Sequence, residues 1–258
     1  MTTKASAYRP FDGTDADVAK TGEFELELGP VHYLREDRAS YVLAPVTVLN
    51  LGIVPGVELV VDSRNQIANL GGAGSGPDSG HRFRTLDQDV FLKLVLRKGS
   101  LQEGHSGISV AFEGGPLLPG IHADDGFGAS GNVILSQRFS WVTLHLNDIL
   151  SYTRNDEVDL FESLVIVGGP EEWPVAPVAE LYVDHTFGGS TVYSALGGVI
   201  WHADDTLDLD VAGRVGHVDD GTPQDEIRLG FTWRIDVWGS KPKKDDGHGL
   251  GPRVARFE

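Results

Sequence analysis

The chain has 258 residues, of which 33 are glycine, none is cysteine and only the first is methionine. The lack of cysteine excludes disulfide frameworks, thiolate metal sites and cysteine nucleophiles. The formal net charge of -17 argues against a nucleic-acid partner, because phosphate binding needs clustered Lys and Arg. No apolar run reaches the length of about eighteen residues that a membrane-spanning helix needs.

In chain order, nearly every segment alternates apolar and polar residues, which is typical of strands with two different faces. The pattern begins near residue 23, where Phe and Leu alternate with Glu, and is clearest at 207–217 and 224–238. A helix would scatter these apolar residues around its circumference. We predict about twelve strands, at 23–35, 39–54, 57–68, 84–97, 105–114, 130–139, 142–154, 157–168, 176–187, 191–203, 206–218 and 224–238.

The connections between these strands predict how they are arranged. The two longest, 65–83 and 115–129, are the third and the fifth, so in an up-and-down barrel they emerge at the same end. Several even-numbered connections are short turns, such as Pro55-Gly56 and Asp204-Asp205. Outer-membrane barrels have long extracellular loops and short periplasmic turns. We therefore predict an all-β, antiparallel, up-and-down transmembrane β-barrel with both termini at the periplasmic end.

The rest of the chain is assigned around this barrel. We expect residues 1–22 to be an N-terminal periplasmic segment, 23–238 the β-barrel and 239–258 a solvated C-terminal tail. The stretch 1–7 lacks the apolar core of a signal peptide, so we expect a mature form with an added methionine. The expected location is the bacterial outer membrane. The expected partners are outer-membrane lipid, the barrel-assembly machinery and a small-molecule substrate, and the expected state is a monomer.

The two faces of the strands predict an oily exterior and a charged lumen. A charge on the lipid face costs on the order of a few kcal/mol near the bilayer midplane. Charged neighbours of leucines such as Leu181 and Leu229 are therefore expected to face inward. The lumen of twelve strands is narrow, so these groups form either a plug of paired charges or a selective pore. The predicted lumen-lining residues are Glu25, Glu27, Glu58, Asp62, Lys93, Arg97, His145, Glu180, Asp184, Asp208, Asp210, Arg214, Arg228 and Arg234.

Aromatic residues near the predicted strand ends suit the two interfacial girdles of a membrane barrel, although aromatics also fill the cores of soluble β proteins. They are Tyr33, Tyr41, Phe139, Trp141, Trp173, Trp201, Trp233 and Trp238.

No motif points to catalysis. The glycine-rich stretch 71–77 lacks the Gly-Lys-Ser/Thr ending of a phosphate loop, and no Gly-x-Ser-x-Gly or His-Glu-x-x-His occurs. Adjacent residues such as His105 and Ser106 point to opposite faces of a strand. Three His-x-Asp-Asp stretches, at 122–125, 202–205 and 217–220, are interpreted as turns, with Ca²⁺ in an extracellular loop as the alternative. We predict no enzyme, no cofactor and no metal.

A last set of short segments lies in order along the chain, at 10–17, 22–29, 44–45, 51–59, 144–147, 152–154, 178–182, 205–210 and 229–233. Together these segments resemble the family of meta-pathway phenol-degradation proteins, which are bacterial outer-membrane barrels labelled as transporters. The likeness implies passage of small hydrophobic or aromatic compounds and supplies no catalytic residue. Two features depart from the family: residues follow the aromatics Trp238 and Phe257, and the loop 115–129 matches only loosely.

A second class of protein fits the same alternation. A soluble, secreted β-sandwich or barrel that binds glycans or another ligand would place the apolar face in a core instead of in lipid. The hydrophilic tail and the missing signal peptide favour this alternative, while the loop parity and the family likeness favour the membrane. An enzyme ranks third. A requirement for detergent would separate the first two.

Overall fold

In the computed structural model, which describes residues 9–71, 83–121, 126–170 and 172–237, the chain forms one closed antiparallel barrel. Each strand pairs with its neighbours in sequence, and β12 pairs with β1. This confirms the predicted twelve-stranded up-and-down barrel and is incompatible with a two-sheet sandwich. No helix in the described ranges is long and apolar enough to cross a membrane. The strands are β1 Glu23–Glu36, β2 Ala39–Val54, β3 Val57–Gly71, β4 Arg84–Arg97, β5 Ser109–Leu117, β6 Gly128–Arg138, β7 Val142–Tyr152, β8 Val158–Gly168, β9 Val175–Thr186, β10 Thr191–His202, β11 Leu207–Val218 and β12 Pro223–Asp236.

Strand β5 differs most from the prediction, which placed it at 105–114. It begins at Ser109 because the preceding stretch forms a turn-rich connection in which Gly104 and Gly107 have positive φ angles of 77° and 82°. Such backbone suits glycine and interrupts a strand. The connection 98–108 therefore gives the periplasmic end one long segment, contrary to the expected pattern of short turns there. The odd-numbered connections lie at the opposite end, which we call the extracellular end.

The outer surface is predominantly apolar and bordered by aromatic side chains. Exposed Val, Leu, Ile and Phe side chains project from strands around the whole barrel. At the periplasmic end Trp141 and Trp173 meet edge to face, with ring centroids 5.9 Å apart. Exposed Tyr152 and Tyr193 lie at the extracellular end. An apolar belt between two aromatic girdles is the surface of a transmembrane barrel.

Two carboxylates interrupt the apolar belt, and the sequence analysis did not anticipate them. Asp148 lies on the outward face of β7, between the exposed Leu146 and Leu150. Glu162 is exposed on the outward face of β8, and the two residues are direct partners in the β7–β8 register. Like charges opposite each other on one face of a sheet repel. The rule that charges point inward therefore fails at this pair.

Replacing this outward pair is expected to stabilise the barrel. The double variant Asp148→Leu/Glu162→Leu should gain about 1–2 kcal/mol in a bilayer, because lipid-facing carboxylates are costly, though less so than Lys or Arg. The measurement is the urea dependence of unfolding in lipid vesicles, with the inward Glu180→Leu as a variant that should lose stability. An unchanged or reduced stability of the double variant would mean that a group outside the chain compensates the two charges.

The segment before β1 does not extend into the periplasm as predicted. From residue 20 back to residue 9 it lies inside the barrel, in contact with inward-facing side chains of strands from β1 to β12. The physical reason is that this segment offers backbone donors and charged side chains to a lumen full of buried acceptors and guanidinium groups. We call residues 9–20 the plug segment. Residues 1–8 and the expected tail at 239–258 lie outside the described residues.

Candidate functional site

The backbone of the plug segment is hydrogen-bonded to the barrel wall. Gly13 N donates to Glu180 Oε1 over 2.7 Å, Thr14 N to Asn147 Oδ1 over 3.0 Å and Ala16 N to Ser136 Oγ over 2.9 Å. Ala19 N donates to Glu58 Oε2. These acceptors lie on β9, β7, β6 and β3. Hydrogen bonds to the wall thus replace the hydrogen bonds to water that an extended backbone would otherwise make.

Asp12 anchors the upper part of the plug segment among three arginines. Arg228 Nη2 lies 3.0 Å from Asp12 Oδ1, Arg64 Nη2 lies 3.8 Å from the same atom, and Arg214 pairs with Oδ2. Burial alone would raise the pKa of Asp12, but these guanidinium groups outweigh it and hold the pKa below its ordinary value. Asp12 therefore remains ionised at neutral pH and fixes the segment to β3, β11 and β12.

A second set of contacts holds the plug segment on both sides of Asp12, at Arg9 and at Asp15. Arg9 Nε pairs with Asp210 Oδ2 at 3.2 Å, and Arg9 Nη2 donates to Leu229 O over the same distance. Lys93 Nζ lies 3.4 Å from Asp15 Oδ1. Gly52 faces the segment closely enough that a Cβ there would collide with the carbonyl of Lys20. The inner wall is therefore shaped around the plug segment.

The long periplasmic connection 98–108 closes the barrel from below. Leu101 is buried and packs in an apolar cluster with Ala16, Ala111 and Ile134. Gln102 Nε2 donates to the carbonyl of Ala16 over 3.0 Å and to Asp17 Oδ1 over 3.2 Å. Two segments thus meet at the periplasmic mouth, and each holds the other in place.

Above the plug segment lies a cavity of about 520 Å³, within the size range of small-molecule pockets. Its floor includes Phe11 and Asp12. The part of its wall formed by β1 to β8 carries the apolar side chains Leu43, Val46, Val48, Val60, Phe91, Ile149 and Phe161, interspersed with polar ones such as Asn50, Asp62, Arg64 and Asn132. The part formed by β9, β11 and β12, together with His32 of β1, is polar and includes Tyr182, Asp184, Arg214, Glu226 and Arg228.

Aromatic rings join the two sides of the cavity. The rings of Phe161 and Tyr182 have centroids 4.9 Å apart and are tilted by 41°. The guanidinium carbon of Arg214 lies 4.6 Å from the centroid of the Tyr182 ring. Arg214 in turn donates to Glu180 Oε2 over 2.9 Å. A ligand in this cavity therefore meets apolar and aromatic side chains interspersed with polar groups on one side, and ion pairs on the other.

The structure places the predicted lumen-lining residues in three groups. Asp62 and Asp184 are partly buried and border the cavity. Arg97 differs from the prediction: it is exposed at the end of β4, where the β4–β5 register shifts between Val95 and Arg97 and the alternation is lost. The buried residues are Glu25, Glu27, Glu58, Lys93, His145, Glu180, Asp208, Asp210, Arg214, Arg228 and Arg234.

Several of these buried residues form hydrogen bonds or ion pairs with one another or with other side chains of the wall. Arg234 donates to Glu25 Oε2 over 2.9 Å and to Asp208 Oδ2 over 2.6 Å, and His202 Nδ1 lies 2.7 Å from Asp208 Oδ1. His145 Nδ1 lies 2.8 Å from the hydroxyl of Ser136. That hydroxyl also accepts the plug bond from Ala16, so this Ser–His pair serves as part of the seat.

The sequence analysis missed the plug segment and the apolar side of the cavity. Strand β2 has apolar residues on both faces, so its sequence does not alternate and does not show that Val46 and Val48 face the lumen. The plug could have been suspected from Asp12, Asp15 and Asp17, which precede a barrel whose last two strands carry the inward arginines Arg214, Arg228 and Arg234.

The three His-x-Asp-Asp stretches do not meet. The stretch 122–125 lies outside the described residues, 202–205 lies at the periplasmic end, and 217–220 lies at the extracellular end. Within the described ranges, no group of three or more His, Cys, Asp or Glu side chains is arranged to hold a metal ion. Asp204 instead accepts the backbone N–H of Thr206 over 2.7 Å, as the turn interpretation predicts.

No protein-family model matches the chain, and no curated protein matches it. Among solved structures, it is similar to the COG4313 outer membrane channel from Pseudomonas putida F1, with 8% sequence identity, a TM-score of 0.61 and coverage of 87% of this chain and 100% of that chain. It is also similar to the KdgM porin in complex with disordered oligogalacturonate, with 10% identity, a TM-score of 0.50 and coverage of 82% and 98%. At such identities the similarity concerns the fold, which is that of an outer-membrane barrel.

Proposed function

We propose that this chain is an outer-membrane channel for small, predominantly apolar molecules, closed here by its own plug segment. The observation that carries the proposal is the cavity above the plug, one side of which contains a group of apolar and aromatic side chains although barrel interiors of this kind are usually polar. A lumen built only to pass ions or hydrophilic solutes has no use for Phe91, Ile149 and Phe161 on its inner wall. The resemblance to the meta-pathway family points the same way and remains a prediction.

The route from the cavity to the periplasm is blocked by the plug segment and the connection 98–108. Their contacts are hydrogen bonds and ion pairs to the wall, with a small apolar cluster around Leu101. Such contacts can be exchanged for water without breaking the closed sheet that defines the barrel. We therefore propose that transport requires displacement of residues 9–20, while the barrel itself stays intact. A monomeric state and assembly by the barrel-assembly machinery remain part of this proposal.

The apolar wall is tested by removing its aromatic rings. The double variant Phe91→Ser/Phe161→Ser should weaken binding of benzyl alcohol to the detergent-solubilised protein by about tenfold, because each lost ring removes buried apolar contact worth roughly 1 kcal/mol or more. Binding is measured by isothermal titration calorimetry. Arabinose, a hydrophilic solute of similar size, should bind neither protein.

The control alters the opposite side of the same cavity. Asp184→Asn removes a charge but no apolar surface, so the affinity for benzyl alcohol should stay within about twofold of that of the unaltered protein. Equal affinities of the Phe91→Ser/Phe161→Ser variant and the unaltered protein for benzyl alcohol would contradict the proposed function. So would tighter binding of arabinose than of benzyl alcohol by the unaltered protein.

A further inference from the structure

The side of the cavity formed by β1 to β6 carries oxygen acceptors that lack donors. Glu27 Oε2, Asn50 Oδ1, Asp62 Oδ1 and Asn132 Oδ1 are buried, and none of them receives a hydrogen bond. All four residues line the cavity. Glu27 and Asn50 are 0% exposed and Asn132 is 3% exposed. Buried acceptors of this kind are normally satisfied, so four beside one cavity indicate a partner that the chain does not supply.

The amide orientations on this side are fixed by their other bonds. Asn50 Nδ2 donates to Glu27 Oε1 over 2.9 Å, and Asn132 Nδ2 donates to Asn147 Oδ1 over 3.1 Å. The amide nitrogens are thus already in use, and the free atoms that remain are oxygens. Turning either amide would break one of these bonds and bring its nitrogen where its oxygen now lies. The missing partner must therefore be a donor.

Carboxylates outnumber cations among the cavity residues of this side. Glu27, Asp62 and Glu113 line the cavity there, whereas the guanidinium group of Arg64 lies 3.8 Å from Asp12 Oδ1 and 3.7 Å from Asp87 Oδ2. The lysine on this wall, Lys93, directs its Nζ towards the plug segment, with Thr14 Oγ1 at 3.3 Å and Asp15 Oδ1 at 3.4 Å. On the opposite side, Arg214 and Arg228 pair with Asp12, Glu180 and Glu226, and the Nε atoms of both arginines are buried donors without a hydrogen-bond partner, so free donors and free acceptors lie on opposite sides of the cavity.

We infer that this side of the cavity is a subsite for an organic ammonium group carried by a small, otherwise apolar molecule. The ammonium has three donors and no acceptor, which matches a wall of free oxygens. Phe91, which pairs with Val60 on this side, offers the ring face that attracts cations. A bare divalent cation fits less well because it requires several close carboxylate ligands. The inference rests on the proposed function and names the class of molecule that the cavity selects.

The test compares three phenyl-substituted probes of similar size on the full-length protein in detergent at neutral pH. They are 2-phenylethylammonium, neutral 2-phenylethanol and anionic 3-phenylpropionate, and binding is measured by isothermal titration calorimetry. The ammonium should bind about tenfold more tightly than the alcohol, and the carboxylate more weakly than both. Asp62→Asn should abolish the advantage of the ammonium and leave binding of the alcohol unchanged.

Two further variants keep the result interpretable. Asn132→Leu removes a free acceptor without altering charge and should also weaken ammonium binding, while Asp184→Asn, on the other side of the cavity, should leave the order of the three probes unchanged. Equal binding of the three probes, or an ammonium advantage that survives both Asp62→Asn and Asn132→Leu, overturns the subsite. If the alcohol binds and the ammonium has no advantage, the subsite is wrong while the proposed function stands. If none of the three binds, both are wrong.

Discussion

Deleting residues 2–20 is expected to turn a closed lumen into an open one. The plug segment fills the barrel at the level of Asn147, Glu180 and Ser136, and its removal lets water reach these groups. Because water then solvates the inward charges, the deletion should not leave them unpaired in an apolar medium. Single-channel recording in planar bilayers should change from a closed baseline to a stable conducting level, and the protein should still show the mobility shift on boiling that folded membrane barrels commonly show.

A shorter deletion provides the control. Removing residues 2–8 keeps the contacts of Arg9, Asp12 and Ala16 described above, so the baseline should remain closed. If the longer deletion also stays closed while the barrel remains folded, the plug segment is not the barrier. The connection 98–108 would then be the remaining candidate, since Leu101 packs beside the same mouth. In that case Leu101→Ser, combined with the deletion, should open the channel.

The second large effect is expected from Asp12→Ala. The substitution removes the carboxylate that Arg64, Arg214 and Arg228 share, and it leaves buried guanidinium groups with fewer partners. Removing one member of a buried ion pair typically costs about 3–5 kcal/mol. A value near 3 kcal/mol is expected here, because Glu180 and Glu226 still pair with Arg214 and Arg228. The plug segment should therefore leave its seat about a hundredfold more often.

Displacement of the plug segment can be measured by thiol labelling, because the chain has no cysteine of its own. Ala16→Cys places one thiol at a position that is 0% exposed and packed in the same cluster as Leu101. Its reaction with a charged maleimide should be slow in the otherwise unaltered protein and about a hundredfold faster with Asp12→Ala. Asp225→Ala breaks the exposed pair with Arg35 and should change the rate little. Equal rates in all three proteins would show that Asp12 does not hold the segment.

Most of the barrel could be predicted from the sequence because alternation and turn chemistry agree along the chain. Strands β2 and β4 begin and end at the predicted residues, and most others do so within a few residues. Turn residues such as Gly56, with a φ of 81°, mark the boundaries by their backbone preference alone. Strand β5 was misplaced because residues 105–108 alternate weakly and the turn before Ser109 depends on tertiary contacts of Leu101.

The plug segment could not be predicted by the same means. Its conformation is set by partners such as Arg228 and Asp210, which lie some two hundred residues away in the chain, so no local pattern records it. The outward pair Asp148 and Glu162 shows the reverse difficulty. Both residues occupy outward positions of correctly predicted strands, where an apolar side chain is expected. A rule that assigns every charged residue to the lumen therefore places them on the wrong face. The donor-free oxygens of Asn50 and Asn132 depend on side-chain geometry that the sequence does not contain.

The seat of the plug segment is complete only in the closed barrel. Arg9 and Asp12 have partners on β11 and β12, the last two strands in the chain. The first described residues of the chain therefore gain their full set of contacts only when the final two strands are in place. A barrel that stalls before β12 joins β1 has no sealed lumen, and sealing and completion become a single event.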